Sequence, residues 1–254
     1  MNEEKNIAAC LASLDFVDEI VVVDSGSTDR TEAICRANPK VRFFPHGWEG
    51  FGKQKNHALD QATGEWVLAV DADEVITTQL AQEIQRLVTQ PGALNGYTVN
   101  RKNFYRGQWI RYSGWWPDRI IRLFRREQAR FSDRLVHEIV QVDGAVGTLS
   151  GCIEHHPFAG PSDFLRKCDS YSTLGARMLV ERGQKSSVLR ALVKSSFTFF
   201  KVLVLKRGVL DGTAGVLIAY SNAAGVFYRH IKFLEMRADL EKQGKLDSER
   251  GKQS

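Results

Sequence analysis

Glu19-Ile20-Val21-Val22-Val23-Asp24-Ser25-Gly26-Ser27-Thr28-Asp29 is the stretch whose reading decides the fold. Its β-branched apolar run has the length of a strand covered on both faces. The run breaks into small residues at 25–28. Asp29, with Glu32 three residues on, then has the pattern of a capped helix start. A strand, a short turn and a helix in that order open a βαβ unit. Upstream, Asn2 caps a helix through Leu14, with Glu3 and Glu4 at its positive end. Downstream, Val41 to Phe44 reads as a second strand, Lys53 to Ala62 as a helix, and Trp66 to Val70 as a third strand. A further helix runs from Thr78 to about Thr89 and stops at Pro91-Gly92. This alternation predicts an α/β fold with a mostly parallel, right-handed sheet. Such sheets usually open on a strand, and this chain opens on a helix cap. A first strand of about eight residues is therefore expected upstream of Met1.

The composition agrees with that class. Of 254 residues, 43% are hydrophobic and 26% charged, which excludes a disordered chain, and four cysteines are too few for a disulfide scaffold. A chain this long can bury roughly three quarters of its unfolded surface. Cys10, Cys35, Cys152 and Cys168 form no CxxC pair and have no histidines at zinc spacing, so reduced thiols without a structural metal are expected. No signal peptide is expected, because Met1 runs directly into polar residues. The uncharged stretch Gly212 to Tyr228 is short for a bilayer span and is interrupted by Ser221 and Asn222.

Two acidic clusters sit at carboxyl ends of predicted strands, the place where open α/β sheets bind ligands. The first is Asp24, followed by a small-residue turn that lets a nucleotide approach the backbone while the carboxylate accepts hydrogen bonds from a base or ribose. The second is Asp71-Ala72-Asp73, followed by Glu74. In an extended segment residues i and i+2 face the same way, so both acids are expected in one cleft. Two carboxylates that close repel by roughly 1 kcal/mol in water and by more where solvent is poor. A divalent cation removes that cost and gives phosphate oxygens a landing site.

At this point the residues carry a resemblance. Asn2-Glu3-Glu4, then residues 21–29, then Gly52-Lys53-Gln54-Lys55-Asn56, then Asp71-Ala72-Asp73-Glu74 are similar in order to the family 2 glycosyltransferases over residues 2–100. Trp115-Trp116-Pro117-Asp118, Arg122-Leu123-Phe124, Val136-His137-Glu138, Arg207-Gly208 and Asp211-Gly212 extend the resemblance to a bacterial subgroup, the lipopolysaccharide core β-glucosyltransferases. The resemblance implies a glycosyltransferase A-type, Rossmann-like fold with flanking helices and a C-terminal helical segment. It further implies a nucleotide-sugar donor, expected to be a UDP-sugar, a divalent metal (Mg²⁺ or Mn²⁺) and inversion at the anomeric carbon. By position, Glu3 would line the nucleotide pocket and Asp24 bind base or ribose. Lys53 and Asn56 would lie along the nucleotide, and Asp71 and Asp73 would hold sugar and metal. Inverting transfer needs a carboxylate to take the acceptor hydroxyl proton. Glu138 is the first choice for that base and Asp118 the second, with His137 orienting a neighbour. Glu154-His155-His156 is too crowded for one ion and is expected to be structural.

Residues 101–134 hold ten Arg or Lys against three acids, an excess larger than the whole chain's +5, with eight aromatics interleaved. That mixture suits a phosphorylated saccharide, with rings stacked on sugars, and equally a single-stranded nucleic acid. From Val188 to Arg207 an amphipathic helix is expected, with Arg190, Lys194 and Lys201 on one side and Leu192, Phe199 and Leu203 opposite. It would either cover the core or lie against an anionic inner leaflet. The chain is thus divided into a nucleotide-sugar half (1–100), an acceptor half (101–160), a helical, membrane-associating region (161–240) and a polar tail (241–254). The expected activity is transfer of a sugar, glucose by the resemblance, to a lipopolysaccharide core or other lipid-linked glycan at the inner face of the cytoplasmic membrane. Two other classes stay open: a nucleotidyltransferase acting on a sugar phosphate, and a non-catalytic nucleic-acid binder.

Overall fold

The computed structural model describes residues 1–132 and 139–243. In chain order the elements are α1 (Ile7–Ser13), β1 (Ile20–Asp24), α2 (Thr31–Arg36), β2 (Val41–Pro45), α3 (Phe51–Gln61), β3 (Trp66–Leu68), β4 (Glu74–Ile76) and α4 (Thr78–Val88). There follow β5 (Gly96–Tyr105), β6 (Gln108–Trp109), β7 (Arg119–Arg125), β8 (Ala129–Phe131), β9 (Val140–Val142) and β10 (Val146–Phe158). Three long helices close the described chain: α5 (Pro161–Glu181), α6 (Val188–Phe200) and α7 (Gly212–Lys242). They form two compact units: residues 1–104 with 117–157, and residues 105–116 with the chain from 158 onward.

The first unit is the α/β part. β1 and β2 pair in parallel, Ile20 opposite Val41 through Asp24 opposite Pro45, as the crossover through α2 requires. The larger sheet departs from the expected parallel arrangement. Its order is β3-β7-β5-β10-β4, and β3/β7, β5/β7 and β10/β4 all run antiparallel. The third strand does follow a helix, but it pairs with β7, far along the chain, rather than with β2. The sheet is therefore mixed, because the long strands β5, β7 and β10 supply antiparallel partners that local periodicity does not announce.

The core of this unit joins Ile7 and Leu11 of α1, Cys35 of α2 and Leu80 and Ile84 of α4 to Val99, Leu123, Leu149 and Ile153 of the sheet. Leu80 and Ile84, four apart, share one face of α4. Thr77 caps that helix by accepting the Leu80 N–H and donates its own hydroxyl to the Cys152 carbonyl at 2.8 Å. Gly151 makes the approach of α4 possible, because a Cβ there would lie 2.6 Å from the Leu80 Cα.

Two expected helix starts are different. Asn2 caps nothing. It sits at φ 60, its N–H donates to Ser27 Oγ at 2.8 Å and its Oδ1 accepts the Thr28 N–H at 2.8 Å. The helix begins only at Ile7, and the first residues serve the 25–28 loop instead. Asp29 does accept the Thr31 N–H, but Glu32 pairs with Arg36 at 2.7 Å and no reciprocal box forms.

The second unit is helical. Its core joins Tyr105, Ile110 and Phe164 to Val202, Ala214 and Ile218. Phe158 stacks on Phe164 with centroids 3.9 Å apart, and Trp115 lies parallel to both. After α6 the chain makes a π-helical turn (Lys201–Leu205) and a 3-10 turn (Gly208–Asp211) before α7. A Cβ at Gly215 would fall 1.7 Å from the Gly208 carbonyl oxygen, so the start of α7 packs backbone on backbone. No helix among the described residues is long and apolar enough to cross a membrane. The expected apolar face of α6 is split in two. Phe199 and Leu203 pack on the core, whereas Leu192 is exposed.

Candidate active site

Asp71 and Asp73 lie in the turn between β3 and β4, not in an extended segment, and different partners take them. Asp71 receives Lys55 of α3 at 2.9 Å and Arg122 of β7 at 2.5 Å. Burial would raise the Asp71 carboxyl, but the Arg122 guanidinium, then the Lys55 ammonium, outweigh it and hold it well below the ordinary carboxylate range. Arg122 also reaches Glu74 at 2.6 Å. Burial works against its charge, yet Asp71 and then Glu74 push its pKa above the usual arginine value.

Glu74 is the keystone. Fully buried, it accepts Arg122 and Arg101 on Oε1 and the Asp71 N–H on Oε2 at 3.0 Å. Three donors are what an ionised carboxylate needs when water is absent. Arg101 continues the chain of charges to Asp118, its Nε 2.9 Å from Oδ2. The Asn103 amide nitrogen donates to the same Asp118 oxygen at 3.1 Å.

From Asn103 the network reaches the second aspartate. A carboxylate only accepts, so the Asn103 nitrogen faces Asp118 and its Oδ1 faces His155 Nδ1, 2.6 Å away. That assignment makes His155 Nδ1 the donor and turns Nε2 toward Asp73 Oδ2 at 3.3 Å. A ring nitrogen and a carboxylate oxygen so placed form a pair of donor atoms that a divalent cation could bridge. The backbone fixes the pairing: the His156 N–H donates to the Asp73 carbonyl at 2.9 Å, and His155 stands opposite Glu74 in the β4/β10 ladder.

Among the described residues, no group of three or more His, Cys, Asp or Glu is gathered to hold a metal. Asp71 is committed to two cations, so it fits the role of metal ligand poorly. Asp73 with His155 fits better, as a two-ligand set whose imidazole is oriented from behind by Asn103 and Asp118. A magnesium-type ion commonly takes its remaining ligands from water and substrate phosphates.

The other expected site residues are placed elsewhere in the first unit. Asp24 is buried and shapes its own turn: Oδ2 accepts the Gly26 and Ser27 N–H groups at 2.9 and 2.6 Å, and Oδ1 the Ser27 hydroxyl at 2.5 Å. Burial raises this carboxyl, but the Ser27 and Gly26 hydrogen bonds lower it further, to a net depression. Glu3 accepts from Asn6 Nδ2 at 2.8 Å, and its N–H donates to Thr31 Oγ1. Lys53 is exposed beside Glu49 on the first turn of α3. Asn56 exchanges both ends of its amide with the Phe131 backbone at 2.9 Å and so fastens β8 to α3. Glu138 and His137 lie outside the described residues.

Lys55, Glu74, Arg101, Asn103, Arg122 and His155 were given no site role from the sequence, although Lys55, Glu74 and Arg122 lie in the resemblance motifs and the 154–156 run was expected to be structural. For His155 a signal existed. Successive residues of a strand face opposite ways, so Glu154-His155-His156 do not point into one site, and of the two imidazoles it is that of His155 that faces the Asp73 carboxylate. His156 stacks on Phe104 at 5.1 Å instead. The basic, aromatic segment is in part committed within the fold. Arg101, Arg122, Arg125 and Arg130 pair with acids of the same unit, and Phe124 and Phe131 are buried.

A family model described as "Glycosyl transferase family 2" matches residues 1–142, more than half of the chain. The chain belongs to glycosyl transferase family 2. It is an enzyme of the glycosyltransferase class, which sets aside the nucleotidyltransferase and nucleic-acid readings. Its relatives include "Lipopolysaccharide core biosynthesis glycosyltransferase LpsC" of Rhizobium meliloti, 29% identical over 91% of this chain and 90% of that one. Another is "Uncharacterized glycosyltransferase RT0209" of Rickettsia typhi, 29% identical over 92% and 84%. Among solved structures, S. aureus TarS 1-349 in complex with UDP-GlcNAc is 18% identical over 96% of this chain and 90% of that one, with a TM-score of 0.47. The Pyrobaculum calidifontis mannosyltransferase PcManGT, in complex with GDP-Man and Mn²⁺, is 16% identical over 92% and 84%, at 0.49. Those two likenesses are too loose to carry a ligand across.

Proposed function

We propose that this glycosyltransferase moves a hexose, glucose by its resemblance, from a UDP-sugar to a lipopolysaccharide core or other lipid-linked glycan, with inversion. Such an acceptor is anchored at the inner face of the cytoplasmic membrane, so the reading includes a cytoplasmic enzyme in peripheral contact with that leaflet. The relative named for lipopolysaccharide core biosynthesis supports the acceptor class. The observation that carries the chemistry is the Asp73–His155 pair at 3.3 Å, at the end of a buried network that sets both side chains.

Asp73 and His155 would hold a divalent cation, Mg²⁺ or Mn²⁺. When bound, it supplies charge neutralisation for the diphosphate as that group departs. Asp71, fixed by Lys55 and Arg122, accepts a hydroxyl of the donor. Asp24 shapes the 25–27 turn against the base or ribose, and Oδ1 keeps accepting capacity for it. Glu3 and Lys53 line the nucleotide, while Asn56 acts from behind by anchoring Phe131. Glu138 takes the acceptor proton as that oxygen bonds to the anomeric carbon opposite the leaving diphosphate. Asp118 is the second choice for that role, because Arg101 and Asn103 already occupy its Oδ2.

The test is transfer measured across a metal titration. Asp73→Asn should lower turnover by at least about 100-fold with an unchanged melting curve. His155→Gln should raise the metal concentration for half-activity by about 10–100-fold. Wild-type turnover by Asp73→Asn in the presence of a chelator would end this reading of the pair.

A further inference from the structure

The helical unit carries an apolar surface that the first unit does not resemble. On α6, Leu189, Val193, Phe197 and Phe200 are each at least half exposed, and Val204 and Leu205 continue the surface through the π-helical turn. At about 100° per residue, Ala191, Ser195 and Val202 mark the packed side, and the exposed apolar residues cover an arc of about 140° from Leu192 to Phe197 on the far side. Arg190, Lys194 and Lys201 fall within about 40° of one another, directly beyond Phe197. Phe197 therefore marks where an apolar sector meets a cationic rim. The helix has three sectors: one packed, one apolar and open, and one basic.

The charge around this surface is one-sided. Residues 182–234 contain nine Arg or Lys and a single acid, Asp211, which is buried. Asp211 accepts the Arg111 and Tyr112 N–H groups and the Ser113 hydroxyl, so it offers no counter-charge at the surface. The last eleven residues, 244–254, include one large apolar side chain, Leu246, and cannot supply an apolar cover. A second copy docked two-fold on this face would set cations against cations. A lipid leaflet with anionic headgroups meets both needs, acyl chains for the apolar arc and phosphates for the rim. Since no described helix can span a bilayer, the contact lies in the plane of the interface.

We propose that α6 and the π-helical turn after it insert edge-on into an anionic leaflet, the Leu189–Leu205 apolar arc entering the acyl boundary while Arg190, Lys194 and Lys201 hold headgroup phosphates. This deepens the peripheral contact proposed above by naming its face and its order of depth. The basic side is the rim of the contact, and the apolar arc is its floor.

The experiment is co-sedimentation of the full chain with vesicles of phosphatidylcholine containing about one third phosphatidylglycerol, beside vesicles of phosphatidylcholine alone. The wild-type chain should bind the anionic vesicles, with partial retention when salt is raised to about 0.5 M, because apolar insertion is not screened. Phe197→Ser with Phe200→Ser should weaken binding at least about 10-fold, and these exposed sites leave the fold intact. Lys194→Glu with Lys201→Glu should abolish the preference for anionic vesicles. Donor hydrolysis in vesicle-free buffer should be unchanged in both variants, so loss of vesicle binding with hydrolysis kept separates this surface from the catalytic reading. The proposal is overturned if the wild-type chain stays in the supernatant, if the phenylalanine variant binds as tightly as wild type, or if sedimentation equilibrium shows a dimer that the same variant dissolves.

Discussion

The two units handle positive charge in opposite ways. In the α/β unit, Arg101 and Arg122 are sunk among Glu74, Asp71 and Asp118, and each guanidinium has a carboxylate at hydrogen-bond distance. In the helical unit, Arg190, Lys194 and Lys201 stand on a surface with no exposed acid in residues 182–234. The sequence makes both look basic. Their physics differs, since cations paired within the fold fix geometry and are screened far less by salt, whereas an unopposed surface rim attracts anions and is screened. Charge counts along a chain therefore say little until the partners are known.

The sharpest way to break the contrast is to remove a cation from the paired set. Arg122→Met leaves Glu74 with one guanidinium and Asp71 with only Lys55, so the variant should lose about 3–5 kcal/mol of stability and with it all transfer. Denaturant melts of Arg122→Met, Glu74→Met and the double variant measure this. The double variant should recover a large part of the loss, because removing both charges removes the uncompensated carboxylate. A single-variant cost under about 1 kcal/mol would mean that the network is solvated, like an ordinary surface pair.

What the sequence disclosed follows the same division between local and distant. β1, α2, β2, α3 and α4 are legible because strand and helix periods are local, and their observed ends fall within a few residues of expectation. The antiparallel pairings of the larger sheet were not legible, since β3 finds β7 across more than fifty residues. The site shows the same limit. Asp71 and Asp73 stand out as acids after a strand, but Arg122 meets Asp71 across 51 residues and His155 reaches Asp73 through the β4/β10 ladder. The cationic edge of α6 was visible from helical spacing. Which of its apolar residues would be open was not, because that depends on the helix's packing partners.

The single acid of the basic helical stretch gives a second, smaller test. Asp211 could be mistaken for the counter-ion of Lys206 or Arg207, but its oxygens take the Arg111 N–H at 3.0 Å, the Tyr112 N–H at 3.1 Å and the Ser113 hydroxyl at 2.7 Å. Ser113 is held at φ 60 by this clamp, and its N–H donates to the Lys206 carbonyl. Of the resemblance residues Arg207-Gly208 and Asp211-Gly212, it is Asp211 that secures the 111–113 loop. Asp211→Asn turns an amide N–H₂ toward groups that donate, so it should cost about 1–3 kcal/mol in denaturant melts. Vesicle binding should not weaken. A gain in stability on neutralisation would show that Asp211 works against the surrounding charge.

Glu19 sharpens the comparison further, because it is a carboxylate of the α/β unit held as Asp211 is held, by N–H donors, yet near the surface. One oxygen accepts the Thr63 N–H, the Thr63 hydroxyl and the Gly64 N–H, and the other meets Arg42 at 2.9 Å. Partial burial raises this carboxyl, but those hydrogen bonds, Thr63 first, outweigh it and bring it from 4.5 down to about 2. A folded value below the unfolded one means that the unfolded chain binds the proton first as pH falls. The stabilisation is therefore complete above pH 4.5 and is lost between there and pH 2. The shift corresponds to at most about 3 kcal/mol, and nearer 1–2 kcal/mol after solvent screening. Glu19→Gln should accordingly melt earlier than wild type at pH 7, and the gap should close as the pH is lowered toward 2. If the gap stays constant from pH 7 to pH 2, Glu19 contributes as a neutral hydrogen-bond acceptor, and its charge does not stabilise the junction of α3 and β3.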